Sequence, residues 1–455
     1  MEPKGIRRLW QFDTRGLDRD QIRTLYLIII AVFGGTSWKN ITTGVAMTGY
    51  LKALGMSDFL YGVVIALPSV ANAFQFLVSY MVERRWNRET TFRTAGLIQR
   101  LSWILFGLVP FVIPMEEGPL RIWAAAFLAL VSAAMQPATV VNSMSIFADV
   151  VPDRIRGQYF AIRSRLATLV ALCVGLCVGT LMDALPAFTN YLVIFSIAGV
   201  IGTLDILLFF FMKIPPQRKQ VSGDGMGAML GRVFRDKNYM RLCAFAALSF
   251  FATYLSLPYF TVYMNATLRL SGLAMVCVHE LLASAVSIGV VGLWGRGMDR
   301  FGHKPVLLMT TLLGAFVPLI WAFAAPGQVW IAVAAQLLYG LQWNAMNLSA
   351  QNLYLELSPV QGRTMYIAVF YLASQLLGSF LGSAAGGWLL DNVLFRLESL
   401  NLCVLGVSFT RYNNLFILSF VLRLAACAFL PRVREKGSAS LRQMLGDRTF
   451  VRGTR

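Results

Sequence analysis

Gly295 to Pro305 reads GRGMDRFGHKP, a charged island between two runs that are almost wholly apolar. Upstream, the 22 residues from Leu273 to Trp294 include only His279 and Glu280 as charge-bearing candidates, and downstream the 20 residues from Val306 to Ala325 include none. Runs of that length cross a bilayer's hydrocarbon core, roughly 30 Å thick, at 1.5 Å per helical residue. The island therefore reads as a tight turn between two transmembrane helices.

The whole composition agrees. Of 455 residues, 57% are hydrophobic and 14% charged, with a mean hydropathy of +0.63, which leaves too little polar surface for a water-soluble globule. The net charge of +18 would suit a nucleic-acid binder only if the cations shared one face. Here they occupy short turns between apolar runs, as the positive-inside bias requires. Five of the six cysteines, Cys173, Cys177, Cys243, Cys277 and Cys427, lie in apolar runs, and Cys403 has no obvious mate, so no disulfide framework or metal spacing is expected. The first 23 residues are basic and polar, and the run after them is too long, and lacks the cleavage signal, for a removable leader.

Apolar runs of spanning length begin near Leu25, Phe59, Thr94, Ile122, Tyr159, Tyr191, Leu242, Leu273, Val306, Val329, Met365 and Tyr412, which predicts an all-α membrane protein of twelve transmembrane helices. The one long connection, with Pro215, Pro216 and glycines at 223, 225, 227 and 231, reads as a linker. The expected organisation is a tail over 1–23, a six-helix bundle over 24–213, the linker over 214–240, a second bundle over 241–431 and a tail over 432–455. Lys and Arg divide 32 to 5 between the tails, linker and even-numbered turns on one side and the odd-numbered turns on the other. That asymmetry places both termini in the cytoplasm.

The halves repeat one another. Asp149, Pro152, Arg156, Tyr159 and Ala161 are matched at a constant offset of 207 by Glu356, Pro359, Arg363, Tyr366 and Ala368, each set joining the fourth helix of a half to its fifth. Glu83, Arg84 and Arg88 stand where Asp299, Arg300 and Lys304 stand in the second half, with Ser79 and Trp86 in place of the two glycines. The spacing of Gly295, Asp299, Arg300, Gly302 and Lys304 resembles the GxxxDRxGR(K/R) signature of the major facilitator superfamily, with His303 where that pattern prefers Arg. The resemblance covers nearly the whole chain. It implies two pseudo-symmetric six-helix bundles that rock about a central site, with helices 1, 4, 7 and 10 around the cavity.

Charges inside a span are costly, so each is a functional candidate. Lys39 lies about 14 residues, roughly 21 Å, along helix 1 and has Trp38 and Asn40 as neighbours. On helix 10, Gln336, Trp343, Asn347 and Gln351 recur at helical spacing, and amides with an indole suit a hydroxyl-rich or heterocyclic ligand. These seven are the substrate-binding candidates; outward snorkelling of Lys39 and interhelical bonding of the amides are the structural alternatives. For proton coupling the candidates are Glu280 and His279 on helix 8 and Asp205 on helix 6, with a structural pairing of Glu280 or Asp205 to Lys39, Arg100 or Arg423 as the alternative. Gating candidates are the turn residues Gly295, Asp299, Arg300, Gly302 and Lys304, with Glu83, Arg84, Asp149, Arg156, Glu356 and Arg363 as interlocking charges.

The sequence thus predicts a secondary active transporter in the inner or plasma membrane, working by alternating access. Its expected role is proton-coupled uptake of a polar or anionic solute such as a sugar, glycoside or carboxylate. Drug efflux by proton antiport and a non-transporting receptor on the same scaffold are the alternatives. No phosphate-binding GxxxxGK(S/T) loop or catalytic histidine pair occurs, so no enzyme, cofactor or metal is expected. The expected partners are a small solute, a proton or other coupling ion and the lipid bilayer, with no nucleic acid, and the working form is a monomer.

Overall fold

A computed structural model describes residues 17–215, 226–359, 363–398, 403–404 and 407–446. Among them, helical segments group into twelve rods. They are α1 (Arg19–Thr43, continued by Val45–Ala53), α2 (Asp58–Ile65, Leu67–Ala73 and Gln75–Arg84), α3 (Arg88–Val112), α4 (Gly118–Val150), α5 (Asp153–Ala184) and α6 (Thr189–Leu208). After a linker helix, Met226–Arg235, come α7 (Lys237–Tyr254 and Leu257–Ala266), α8 (Gly272–Phe301), α9 (His303–Ala322), α10 (Val329–Leu357), α11 (Arg363–Glu398) and α12 (Arg411–Cys427). The only strands among the described residues are two dipeptides, Cys403–Val404 and Val407–Ser408. Ten of the helices are long and apolar enough to cross a membrane, or up to eleven if broken α2 counts as one span. The amide-rich α10 falls short on composition alone.

Helix starts follow the caps written in the sequence. Asp18 accepts from the Arg19 amide while Gln21 accepts from the Asp18 amide, Ser57 accepts from Leu60 N, and Asn87 and Asp236 each accept two first-turn amides. Each satisfies donors that a helix start leaves open. One expectation needs correction. The helix of α8 continues through Phe301, so most of the Gly295 to Pro305 island is helical, and Gly302 alone, at φ +91°, makes the break before His303. Only glycine adopts that conformation without cost, and a Cβ there would meet Ser438 Cβ at 3.0 Å.

The chain divides into two units, Met1–Gly55 with Phe74–Ser222 and Met56–Ala73 with Gly223–Arg455. The first half of α2 is therefore described with the second unit. In the first unit, Leu25, Ile28, Phe92, Ile146, Phe147, Tyr159 and Phe209 form one apolar cluster, and Tyr50, Trp103, Phe106 and Phe195 pack as an aromatic knot. In the second, Tyr239, Leu242, Phe245, Phe250, Leu353, Tyr366 and Phe370 form the larger core. In the first unit Tyr159 OH donates to the Leu25 carbonyl, and in the second Tyr239 OH donates to the carbonyl of Tyr366, the sequence mate of Tyr159.

Candidate functional site

In the first unit the helix 1 patch separates by face. The Arg100 guanidinium lies over the Trp38 ring, 3.6 Å from its centroid, and Nη2 stands 3.7 Å from Asp205 Oδ2, with Nη1 donating to Gln99 Oε1 at 2.7 Å. Gly34 and Gly35 let α1 approach Asp205 closely enough that a Cβ at Gly34 would lie 2.6 Å from Asp205 Cβ. Trp38 and Asp205 are thus joined through Arg100 in the packed interior. Asn40 Nδ2 donates to the Ala171 carbonyl of α5 at 3.1 Å, which engages it in helix packing. Lys39 is exposed, on the same face as exposed Thr43 and half-buried Thr36, and among the described residues no carboxylate pairs with it.

In the second unit α10 carries Trp343 stacked on Tyr339, ring centroids 5.3 Å apart at 21°, with Tyr254 and Phe250 at 6.4 and 6.5 Å. Gln336 is buried, Trp343 and Asn347 are half-buried and Gln351 is exposed, so the shared face predicted for them runs from interior to surface. Asn347 Nδ2 donates to the Trp343 carbonyl and Asn344 Nδ2 to Ser287 Oγ. Beside them Arg423 is buried, donating to the carbonyls of Gly314 and Thr253 and to the hydroxyls of Ser256 and Ser419. A cavity of about 10 Å³ between Arg423, Gln342, Trp343 and Thr311 has room for about one water. His279 and Glu280 are half-buried on a π-helical stretch, Cys277–Leu282, a local widening often found at functional sites.

Buried Arg88 reaches Asp149, Ser145 Oγ at 3.0 Å and the Pro215 carbonyl at 2.6 Å, while Arg156 donates to the carbonyls of Ala148 and Val151. Glu356 Oε2 lies 3.8 Å from His303 Nε2, whereas Arg363 is exposed with no carboxylate against it among the described residues. Asp299 and Arg300 are exposed, the guanidinium of Arg300 lies 5.3 Å over the Phe301 ring, and Lys304 Nζ donates to the Pro431 and Val433 carbonyls. At half-buried Gly295 a Cβ would meet nothing within 4 Å. The side chains of Glu83 and Arg84 lie outside the described residues.

Sequence reasoning missed two arrangements. Glu435 accepts from His303 N at 2.7 Å and Lys304 N at 2.8 Å, capping the start of α9. At the far end of the second unit, buried Asp58 pairs with Arg411 at 3.2 Å and accepts from Tyr412 OH, while Asp391 accepts from Phe59 N at 2.8 Å. Asp58 opens its helix, where only the N-cap rule could have flagged it, while Asp391 lies inside α11 and Glu435 in the segment after α12.

The sequence of residues 27–383 matches the Major Facilitator Superfamily. The chain belongs to that family. Solved structures of the same fold include the nucleoside transporter NupG, at TM-score 0.70 and 14% identity over 91% of this chain and 99% of that one. A bacterial homologue of the human lysosomal transporter Spinster in an inward-facing, unoccupied conformation gives 0.68 and 14%, covering 96% and 99%. A D-xylose–proton symporter gives 0.68 and 15%, covering 91% and 100%. No curated protein matches the chain. As a member of the Major Facilitator Superfamily the protein is a multi-pass membrane transporter.

Proposed function

We propose that this major facilitator protein takes up a small polar or anionic organic solute by alternating access, coupled to protons. The observation that carries the reading is the exposed face of α1 holding Thr36, Lys39 and Thr43, because a cation deep in a span with no carboxylate beside it, among the described residues, is a ready partner for an anionic group. Lys39 is assigned to that group and the Trp343–Tyr339 stack to a ring or sugar face. Trp38 and Asn40 lie on other faces of α1, held by Arg100 and the Ala171 carbonyl, and Asn347 and Gln351 extend the α10 surface below buried Gln336.

Glu280 is the favoured proton carrier, with His279 beside it on the π-helical turn. Asp205, held by Arg100, is the weaker candidate. The inner turns around Gly302 and Arg88 are the gate, and the 32 to 5 division of cations supports a plasma-membrane protein with both termini cytoplasmic. A xylose–proton symporter and a nucleoside transporter share the fold, which makes sugars and nucleosides the first solutes to try.

The aromatic wall of Trp343, Tyr339, Tyr254 and Phe250 also suits flat apolar compounds, so efflux by proton antiport is the second reading. A thermal-shift screen of the purified protein against a solute library at two pH values finds ligands. Proteoliposomes with an imposed pH gradient then read direction. Accumulation driven by an acidic outside supports uptake, extrusion supports efflux, and absence of any solute counterflow would remove transport altogether.

A further inference from the structure

We propose that His303, Glu356 and Glu435 form a binding site for a divalent transition cation of the zinc class. The three come from separate parts of the second unit: the start of α9, the end of α10 and the segment after α12. One donor atom from each lies within 4.8 Å of the others. Imidazole with two carboxylates is a zinc-type donor set that leaves a position open to water, and ligand atoms bonded to one such ion sit roughly 3.3 Å apart, within reach of side-chain rotation.

Charge argues the same way. The ammonium of Lys304 donates to the carbonyls of Pro431 and Val433 and not to either carboxylate of the cluster. A doubly charged cation would neutralise them. A second observation is the imidazole itself: Nδ1 is sealed from solvent and has no hydrogen-bond partner, and Nε2 meets Glu356 only at 3.8 Å. An imidazole whose Nε2 already stands 3.8 Å from one of two neighbouring acids is placed to ligate. Glu435 is already fixed by the amides of His303 and Lys304, so one arm of the site is preorganised. A bound ion would tie the end of α10 to the Gly302 turn, stiffening the turn that the sequence marks as a gate.

The test uses untagged, full-length protein in detergent, freed of metal with EDTA. Co²⁺ serves as the spectroscopic probe and Zn²⁺ as its competitor. Expected are a visible Co²⁺ absorption band at one equivalent, its bleaching by Zn²⁺, and a Zn²⁺-dependent rise in melting temperature that EDTA reverses. His303→Asn and Glu356→Gln, each retaining the metal-free melting temperature, lower affinity by about tenfold or more, while His279→Asn leaves it unchanged. A wild type with no reversible Co²⁺ band, or a band that persists in both His303→Asn and Glu356→Gln, overturns the site. Neither readout requires a transport assay, so failure here is separate from failure of the transport reading.

Discussion

Arg100 and Asp205 face each other at 3.7 Å inside the first unit, each side chain only 8% exposed, with the Trp38 ring stacked on the guanidinium. Both charges stand in apolar spans, so each depends on the other for compensation. Breaking such a pair from one side strands a charge and costs about 3–5 kcal/mol, whereas replacing both partners with apolar residues of similar volume is often neutral. Asp205→Leu and Arg100→Leu singly are therefore expected to lower the melting temperature sharply, and the double variant to recover most of it. Should the double variant fold and still move solute against a proton gradient, Asp205 is a structural partner and the proton carrier lies elsewhere.

Glu435 caps α9 across the Gly302 break, and both residues are needed for that close approach. Gly302→Ala forces a positive φ on a residue with a Cβ, which would also stand 3.1 and 3.2 Å from the Glu435 oxygens. The expected cost is about 1–3 kcal/mol. Glu435→Ala removes the cap alone, at about 1 kcal/mol. Denaturation of the two variants and their combination gives less than additive losses, because each breaks the same contact.

The Asp58 cluster is a stronger clamp. Tyr259 OH donates to the carbonyls of Asp58 and Ser383, Ser383 Oγ donates to the Gly62 carbonyl, and Tyr412 and Arg411 hold the Asp58 carboxylate. Tyr412→Phe should cost about 1.5–3 kcal/mol by deleting the hydroxyl that donates to a carboxylate and accepts from Arg411. Asp58→Ala should cost about 3–5 kcal/mol because Arg411 then loses its charge partner. Equal melting temperatures for the two variants would show that the carboxylate holds nothing in place.

The fold was legible in the sequence because membranes demand long apolar runs, and the Pro152 and Pro359 segments repeat without a gap. What hid was pairing. Asp149 and Arg156 stand close together in sequence, yet the residue that holds the Asp149 carboxylate is Arg88, 61 residues away. Trp38, Lys39 and Asn40 read as one patch because they are adjacent, but successive helical residues turn by about 100°, and the three face different neighbours. The break at Gly302 was visible only as a glycine among several; its backbone angle and the Glu435 cap were not written in the local pattern. Asp58 passed unnoticed because a carboxylate at a helix start reads as an ordinary cap, and Glu435 because the amides it caps lie 131 and 132 residues away in sequence.

Lys39 provides the sharpest functional test. A charge-assisted hydrogen bond is worth about 1.5–3 kcal/mol, which corresponds to roughly a tenfold to hundredfold change in affinity. Lys39→Met is expected to raise KM for an anionic solute by that factor while leaving the melting temperature unchanged, because its exposed side chain has no carboxylate partner among the described residues. Lys39→Arg keeps the charge and should restore much of the loss. Glu280→Gln should behave differently: binding persists, but uptake no longer responds to the imposed pH gradient, since a residue that cannot exchange a proton cannot couple to one. If Lys39→Met instead leaves KM unaltered for every transported solute, the ammonium belongs to the lipid headgroups, and recognition rests on α10 alone.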